Sequence, residues 1–259
     1  KAPTRWIAMP RRKIQELHSK TMTILNIETS TTCCSASISI DGVSVASRAN
    51  LAGANHASEL PVFIDDLLRQ AKEQHWVLDA VALSQGPGSY TGLRIGASIA
   101  KGICYGLNIP LIPVDTLQVL CACAQALAPE LLQPGALLCP MLDARRMEVY
   151  TALYEVQGDA ACLRLNDVQA LIIDQNAFAD QLSQRPVYFF GNGAGKCQSV
   201  ISSMNAHFID GVQLSAQHMG QIAEQQAAID MLDIKRVAYY EPFYLKEFVA
   251  APSHIKGLD

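Results

Sequence analysis

Four short segments of the chain carry residue types that chemistry uses. Gly86-Pro87-Gly88-Ser89-Tyr90-Thr91-Gly92 joins an apolar strand pattern to a helical one that begins at Leu93-Arg94. Its glycines permit positive φ or a close backbone approach, Pro87 stiffens the turn, and the free N–H groups of the helix start point toward the loop. Such a loop serves either as an anion cradle or as a tight packing joint. Glu28-Thr29-Ser30-Thr31-Thr32 is a hydroxyl-rich loop after a first strand. Thr29, Ser30 and Thr31 are candidates for holding a phosphate, and Glu28 can orient a metal-bound water or simply accept hydrogen bonds. Gly191-Asn192-Gly193-Ala194-Gly195-Lys196 lies between a strand and a helix pattern, where Gly191 and Gly193 can meet a nucleotide or shape a structural turn. Asp143-Ala144-Arg145-Arg146 falls between two strands. Arg145 and Arg146 there can hold a phosphate or another anion or an acidic partner, or form a charged turn.

Several familiar chemistries fail on spelling. A Walker A loop needs Gly at Phe190 and Ser or Thr at Cys197, and a dinucleotide fingerprint needs Gly at Lys196. A nucleophile elbow around Ser89 needs glycines at Pro87 and Thr91. The six histidines (18, 56, 75, 207, 218, 254) are never three or four apart, and no H-E-x-x-H occurs, so neighbours build no helical metal pair. His56, at a helix start, reads as a surface or capping residue. The eight cysteines form no C-x-x-C pair, and several sit in apolar runs such as Leu137-Leu138-Cys139. They read as reduced core residues of a cytoplasmic protein. The residues therefore assign no catalytic side chain and no metal ligand.

The elements that must position these segments are legible from periodicity. Thr23 to Ile27 is a short apolar strand. Cys34, Ala36, Ile38 and Ile40 alternate with Ser35, Ser37 and Ser39, which predicts a strand with one buried face, and Asp41-Gly42 turns it into Val43 to Ala49. Leu60, Phe63, Ile64, Leu67, Leu68 and Ala71 repeat at helical spacing over residues 56 to 72, with Asn55 or Ser58 able to cap the start and Pro61 tolerable in the first turn. A strand follows at 80 to 83 and a helix at 93 to 107, in which Ile95, Ile99 and Ile103 adjoin small residues at 92, 96 and 100. Strand 110 to 114 closes a first lobe. Helix 117 to 132, strands 136 to 142 and 148 to 156, helix 176 to 184, strand 187 to 190, and helices 195 to 204 and 216 to 231 make a second. The expected class is α/β: two lobes, each a mixed sheet flanked by helices, with a partial internal repeat.

The chain has 259 residues, half of them hydrophobic and 17% charged, as befits a folded protein. Residues 1–21 hold six basic side chains and one acidic, and read as a leader or expression-derived segment without the apolar run of a signal peptide. Removing them from 20 basic and 24 acidic residues leaves 14 and 23, a net charge of −9 on the body. An acidic body is a poor nucleic-acid binder on its own. No stretch of about 18 apolar residues is present, so no membrane span is expected.

Gly86 to Gly96, reading Gly-Pro-Gly-Ser-Tyr-Thr-Gly-Leu-Arg-Ile-Gly, resembles the hallmark of the bacterial TsaB family, also called YeaZ, with Gly86, Pro87, Gly88, Tyr90, Thr91, Gly92 and Arg94 as its signature loop. Ile24 to Ser30, the helix from His56 to Leu68, Ile109 to Val114, Asp143 to Tyr150 and Pro242 to Lys246 fit in order, so the resemblance spans about residues 22 to 250. It implies an actin-like ASKHA fold, with lobes at 22–116 and 117–259. It also implies a part in making threonylcarbamoyladenosine (t6A) beside the tRNA anticodon.

In that system TsaD is the catalytic, metal-bearing paralogue, TsaE is an ATPase and TsaB is a partner subunit. The resemblance thus implies an accessory, non-enzymatic chain that needs no cofactor itself, with metal only in TsaD and ATP or ADP in the TsaE-containing complex. Partners are a TsaD-like subunit, a TsaE-like ATPase, tRNA through the complex, and a second copy when isolated. Where a TsaD-like chain would present its histidine pair, this chain has Thr116 and Leu120, and the usual D-x-G-T phosphate loop reads Glu28-Thr29-Ser30-Thr31. The family pairs through its first-lobe helices. This makes Leu60, Phe63, Ile64, Leu67, Leu68, Leu93, Ile95, Gly96, Ile99 and Ile103 the expected interface. The rival readings are a small ASKHA ATPase or kinase using residues 28–32 and 191–196, and a glycoprotease-like peptidase, which the missing elbow and metal motif oppose.

Overall fold

A computed structural model describes residues 21–246 apart from 54, 132 and 158–160; the leader at 1–21 therefore lies almost wholly outside the described residues. The first half runs β1 (Thr23–Glu28), β2 (Cys34–Ile40), β3 (Val43–Asn50), α1 (His56–Glu73), β4 (Ala80–Gly86), α2 (Tyr90–Leu107), β5 (Leu111–Asp115) and α3 (Thr116–Leu127). The second runs β6 (Leu137–Asp143), β7 (Glu148–Thr151), β8 (Tyr154–Val156), β9 (Cys162–Arg164), β10 (Gln169–Ile172), α4 (Ala179–Gln184), β11 (Val187–Phe190), β12 (Ala206–Ile209), α5 (Gly220–Ala227) and α6 (Ile234–Ala238).

Each half builds a mixed sheet of the same plan. The first has the order β3-β2-β1-β4-β5 and the second β10-β7-β6-β11-β12, with β8 and β9 branching from β6. In both, the first strand lies in the middle, an antiparallel pair extends on one side, and two parallel strands extend on the other. The repeat that the alternating strand and helix blocks predict is thus present in the topology.

The two faces of the first sheet bury different clusters. Leu25, Ile27, Val81 and Leu83 meet α1 and α2, whereas Ile24, Ala80, Ala82 and Val114 meet α3, α5 and the second sheet's Leu138, Leu142 and Phe190. Strands covered on both faces read as continuous apolar runs. In β2 the structure corrects the expectation of one buried face: Ser35, Ser37 and Ser39 are buried too. They are satisfied inside, since Ser37 Oγ donates to the Ala216 carbonyl at 2.8 Å, the Ala216 N–H donates to Ser35 Oγ at 2.9 Å, and Asn26 Nδ2 donates to Ser39 Oγ at 3.0 Å. Small hydroxyls with partners can be buried where larger polar groups cannot.

Other boundaries move for local reasons. α2 starts three residues early because Ser89 caps it, its Oγ accepting from the Gly92 N–H at 3.3 Å. α1 begins at His56, which puts Pro61 a turn deeper than the first turn; the carbonyl it cannot reach belongs to Ala57, an exposed residue that water can serve. The helix expected at 195–204 is one 3-10 turn, Gly195–Cys197, and the helix expected at 216–231 is a 3-10 turn followed by α5. After the second sheet the chain returns to the first: Leu111 and Leu232 exchange backbone hydrogen bonds, and Leu232, Val237 and Tyr240 join the α1–α2 cluster.

Candidate functional site

The loops of both sheets meet at one end of the molecule around a cleft of about 740 Å³. Ser30, Thr31, His56, Gly88, Tyr90, Asp143, Arg145, Tyr150, Asn192, Tyr244 and Lys246 are among its lining residues. Three of the four segments singled out by residue type thus converge with the tail, and the fourth contributes Asn192.

The glycine loop is filled by the chain itself. A Cβ at Gly88 would fall on the carbonyl oxygen of Ser30, one at Gly92 on that of Thr29, and one at Gly96 on the Thr29 hydroxyl. Thr29 Oγ1 donates to the Gly92 carbonyl at 2.8 Å, and the Ser89 N–H donates to the Ser30 carbonyl at 2.6 Å. Of the two uses open to this loop, tight packing is the one these contacts serve. Gly86, at φ 118°, leaves room for the Phe243 carbonyl, while the Phe243 N–H bonds Gln85 O at 2.7 Å and fastens the tail over the loop.

Glu28 faces inward. One carboxylate oxygen accepts from the Ser30 N–H at 2.6 Å and from its hydroxyl at 2.5 Å, and the other accepts from the Ser84 hydroxyl. Complete burial raises the pKa of its carboxyl group, and the serine hydrogen bonds pull it back only in part. Both oxygens are occupied at the root of the loop, so Glu28 organises the loop and does not reach the cleft. Thr29 is likewise buried, whereas Ser30 and Thr31 line the cleft.

On the opposite wall, Gly191 and Gly193 press on β6: the Gly193 N–H donates to Met141 O at 2.9 Å, and Cβ atoms there would strike Met141 O and Leu142 C. Lys196 donates to Asp143 and to the Glu148 carbonyl, so its ammonium is tied to the hairpin. Lys246 is held by Glu148. Arg145 and Arg146 both have left-handed backbone, at φ 70° and 48°, and both side chains are exposed. Two such non-glycine residues in succession cost about 1–2 kcal/mol each. No ion pair is formed by either guanidinium among the described residues.

Tyr150, Asn192 and Tyr244 complete the cleft; the sequence marks their segments, and their place in the fold makes them lining residues. Tyr244 packs on Tyr90 with ring centroids 5.0 Å apart, and Arg94 lies over the Tyr90 ring while donating to its hydroxyl at 2.7 Å. His56 bonds the Cys33 carbonyl at 3.1 Å. Thr116 and Leu120 are buried: Thr116 Oγ1 accepts from the Gly86 N–H at 3.1 Å, and Leu120 packs in the cluster between the sheets. Among the described residues no group of three His, Cys, Asp or Glu side chains is placed to hold a metal. No helix among them is long and apolar enough to cross a membrane.

At the junction of the lobes Asp115 Oδ1 caps α3, accepting from the Leu117 N–H at 2.8 Å, while Oδ2 takes Tyr154 OH at 3.1 Å and Arg164 at 3.0 Å. Burial raises its pKa against the pull of Arg164.

The structure divides the ten helix residues expected at an interface. Leu60, Ile64, Leu67 and Leu93 point into the lobe's own core, and Gly96 is closed by Thr29, so these five have no surface to offer. Phe63, Leu68, Ile95, Ile99 and Ile103 are half-buried and reach the outside. Periodicity could not separate the two sets because α1 and α2 bury one face on the sheet and leave a second apolar face beside it.

Comparisons agree with this architecture. The family model described as "TsaD: tRNA N6-adenosine threonylcarbamoyltransferase" matches residues 45–253. A Bacillus subtilis protein named "tRNA threonylcarbamoyladenosine biosynthesis protein TsaB" is 29% identical over 189 residues, which cover 71% of this chain and 76% of that one. Its Haemophilus influenzae namesake is 37% identical over 129 residues, covering about half of each, 50% and 52%. The solved structure of YeaZ from Pseudomonas aeruginosa superposes with a TM-score of 0.71 at 22% identity, covering 86% of this chain and all of the other, and so shares its fold. With that extent of match and the glycine loop closed on Thr29 and Ser30, the chain belongs to the TsaD-related family of ASKHA proteins and, within it, to the TsaB/YeaZ branch.

Proposed function

We propose that this chain is a non-catalytic subunit of the cytoplasmic assembly that forms t6A in tRNA. It binds a TsaD-type catalytic subunit through the outer face of α1 and α2, supports that subunit's active arrangement, and helps form the place where a TsaE-type ATPase docks. One observation carries the reading. α2 presents Ile95, Ile99 and Ile103 outward beside Gly102 and Gly106, at which a Cβ would meet nothing within 4 Å. Val62 of α1 and Leu107 of α2 are also exposed, at 58% and 50%. An outward apolar row with glycine gaps beside it fits a partner helix at close range. The interior supports the same division of labour: Thr116 and Leu120 are committed to packing, and the loops at 28–30 and 191–193 are closed on their own backbone. The chain then requires no cofactor of its own, metal belongs to the TsaD-type partner, and nucleotide belongs to the TsaE-containing complex.

The test is size-exclusion chromatography with light scattering on this chain, on a TsaD homologue and on their mixture, followed by a tRNA threonylcarbamoylation assay of each. A mixed complex with activity only in the mixture is expected. Absence of a complex, with ATP bound and hydrolysed by the chain alone, would replace this reading with that of a small ASKHA ATPase or kinase. Two copies of the isolated chain are expected to pair through the same face.

A further inference from the structure

α2 has a second outward stripe, distinct from the Ile95, Ile99 and Ile103 face proposed for the partner. Tyr90, Arg94, Ser98, Lys101 and Tyr105 follow one another at spacings of three and four, and on a helix of 3.6 residues per turn they lie roughly 140° round from Ile95, Ile99 and Ile103. The 18 residues of α2 include no acid, in a body with a net charge of −9. Arg94, Ser98 and Tyr105 are exposed, and Lys101 reaches the Ala238 carbonyl at 3.2 Å.

Tyr90, Arg94, Ser98 and Lys101 of the stripe form one wall of a groove of about 720 Å³ whose other wall is the tail, Tyr240 to Lys246. Tyr90, Tyr244 and Lys246 line both this groove and the inter-lobe cleft, so the two are continuous past the paired rings. Arg145 lies on the cleft side, and Glu241 is the acid that lines the groove. Asp143 and Glu148 are already paired with Lys196 and Lys246. Tyr240, at the groove, buries a hydroxyl that has no hydrogen-bond partner among the described residues.

Cations spaced along a track with aromatic rings between them suit a single-stranded nucleic acid, whose phosphates take the cations and whose bases stack on the rings. We propose that this track binds a single-stranded RNA segment of the tRNA substrate, with bases against Tyr90 and Tyr244 and phosphates on Arg94, Lys101 and Arg145. The proposal rests on the t6A reading for the identity of the RNA. Because the apolar and the basic–aromatic stripes occupy different sides of α2, a protein partner and RNA can be held together. The acidic body weakens RNA binding by the chain alone, and the partner supplies the rest of the contact.

The test uses a fluorescent tRNA anticodon stem-loop titrated by anisotropy against the full chain in complex with its TsaD-type partner, at several salt concentrations. Arg94→Gln/Lys101→Gln is expected to weaken binding about tenfold and to lower the slope of log K against log salt by about 1.4, two contacts at about 0.7 each. Tyr244→Leu, which keeps bulk without a ring, is expected to weaken it about fivefold or more. Lys72→Gln, which removes an exposed charge on α1, should leave it unchanged. Light scattering and thermal unfolding must show the Arg94/Lys101 variant assembled and folded. Equal affinity of that variant and the parent would overturn the proposal. So would an assembled parent complex that binds no RNA, which leaves the partner reading intact. ATP binding with the same dependence on Arg94 while RNA binding lacks it would also overturn it. If no complex forms, the partner reading fails by itself. The same titration on the chain alone then decides the track: sensitivity to the Arg94/Lys101 change supports it, and no binding overturns it.

Discussion

Gly92→Ala is expected to be among the most damaging single-methyl changes in the molecule. A Cβ on Gly92 would lie 2.0 Å from the Thr29 carbonyl oxygen, against about 3.4 Å for ordinary contact, and the obstacle is backbone with no rotamer to change. Either α2 or the 28–30 loop must move by more than an ångström. Overpacking of this kind costs about 1–3 kcal/mol, and the upper end applies where backbone meets backbone. The same movement breaks the Thr29 hydroxyl's bond to the Gly92 carbonyl, worth about 1 kcal/mol, while the gain in helix propensity returns up to about 1 kcal/mol. The net loss is about 3 kcal/mol, or a fall in Tm of roughly 6–12 °C for a chain of this size.

Gly96→Ala meets the Thr29 hydroxyl, which can rotate away, so a smaller loss of about 1–2 kcal/mol is expected. Gly102→Ala meets open space and should stabilise by up to about 1 kcal/mol through helix propensity. Combining Thr29→Ala with Gly96→Ala should cost less than the sum of the two, by about 1 kcal/mol, because they act at one contact. Thermal and urea unfolding of the set, followed by circular dichroism, gives the order directly. A Gly92→Ala protein as stable as the parent, or a Gly102→Ala protein as damaged as Gly92→Ala, would refute the assignment of these glycines to close packing.

Three further outcomes are expected. Gly102→Glu should leave Tm within a few degrees of the parent, since its side chain enters open space, yet weaken association with the TsaD-type partner at least tenfold by light scattering or calorimetry; unaltered affinity would move the interface elsewhere. Glu28 has a folded pKa raised above its unfolded value, so the native state holds the proton longer and stability falls as pH rises from about 4.5 through the raised value. Glu28→Gln removes that loss and should flatten the slope of unfolding free energy against pH on the alkaline side; an unchanged slope would mean that another group titrates. Arg164→Ala leaves Asp115 buried without its cation and, discounted for the partial exposure of Arg164, should cost about 1–2 kcal/mol, part of which Asp115→Asn restores in the double variant.

The sequence by itself determined the class of fold and its internal repeat, because apolar periodicities of two and 3.6 residues report which face each element buries. It also determined the weight of the loop from Gly86 to Gly96, since glycines so placed mark backbone in contact with something. The sequence could not say what that something was. Only the tertiary structure put Thr29 and Ser30 against Gly88, Gly92 and Gly96, a contact between segments some sixty residues apart that leaves no local pattern. The same holds for Ser35, Ser37 and Ser39, which alternate like an exposed face and are buried because the turn at Ala216, far along the chain, meets their hydroxyls. It holds too for α2, whose stripes periodicity lays out but cannot assign: burial in the folded chain decides that Leu93 and Gly96 face the core, that Ile99 and Ile103 stay half-buried at its edge, and that Arg94 and Lys101 line the groove beside the tail. Local sequence reports the type of most segments, though not the 3-10 turns at 195–197 and 216–218, and long-range packing, which depends on residues no window contains, fixes what each face meets.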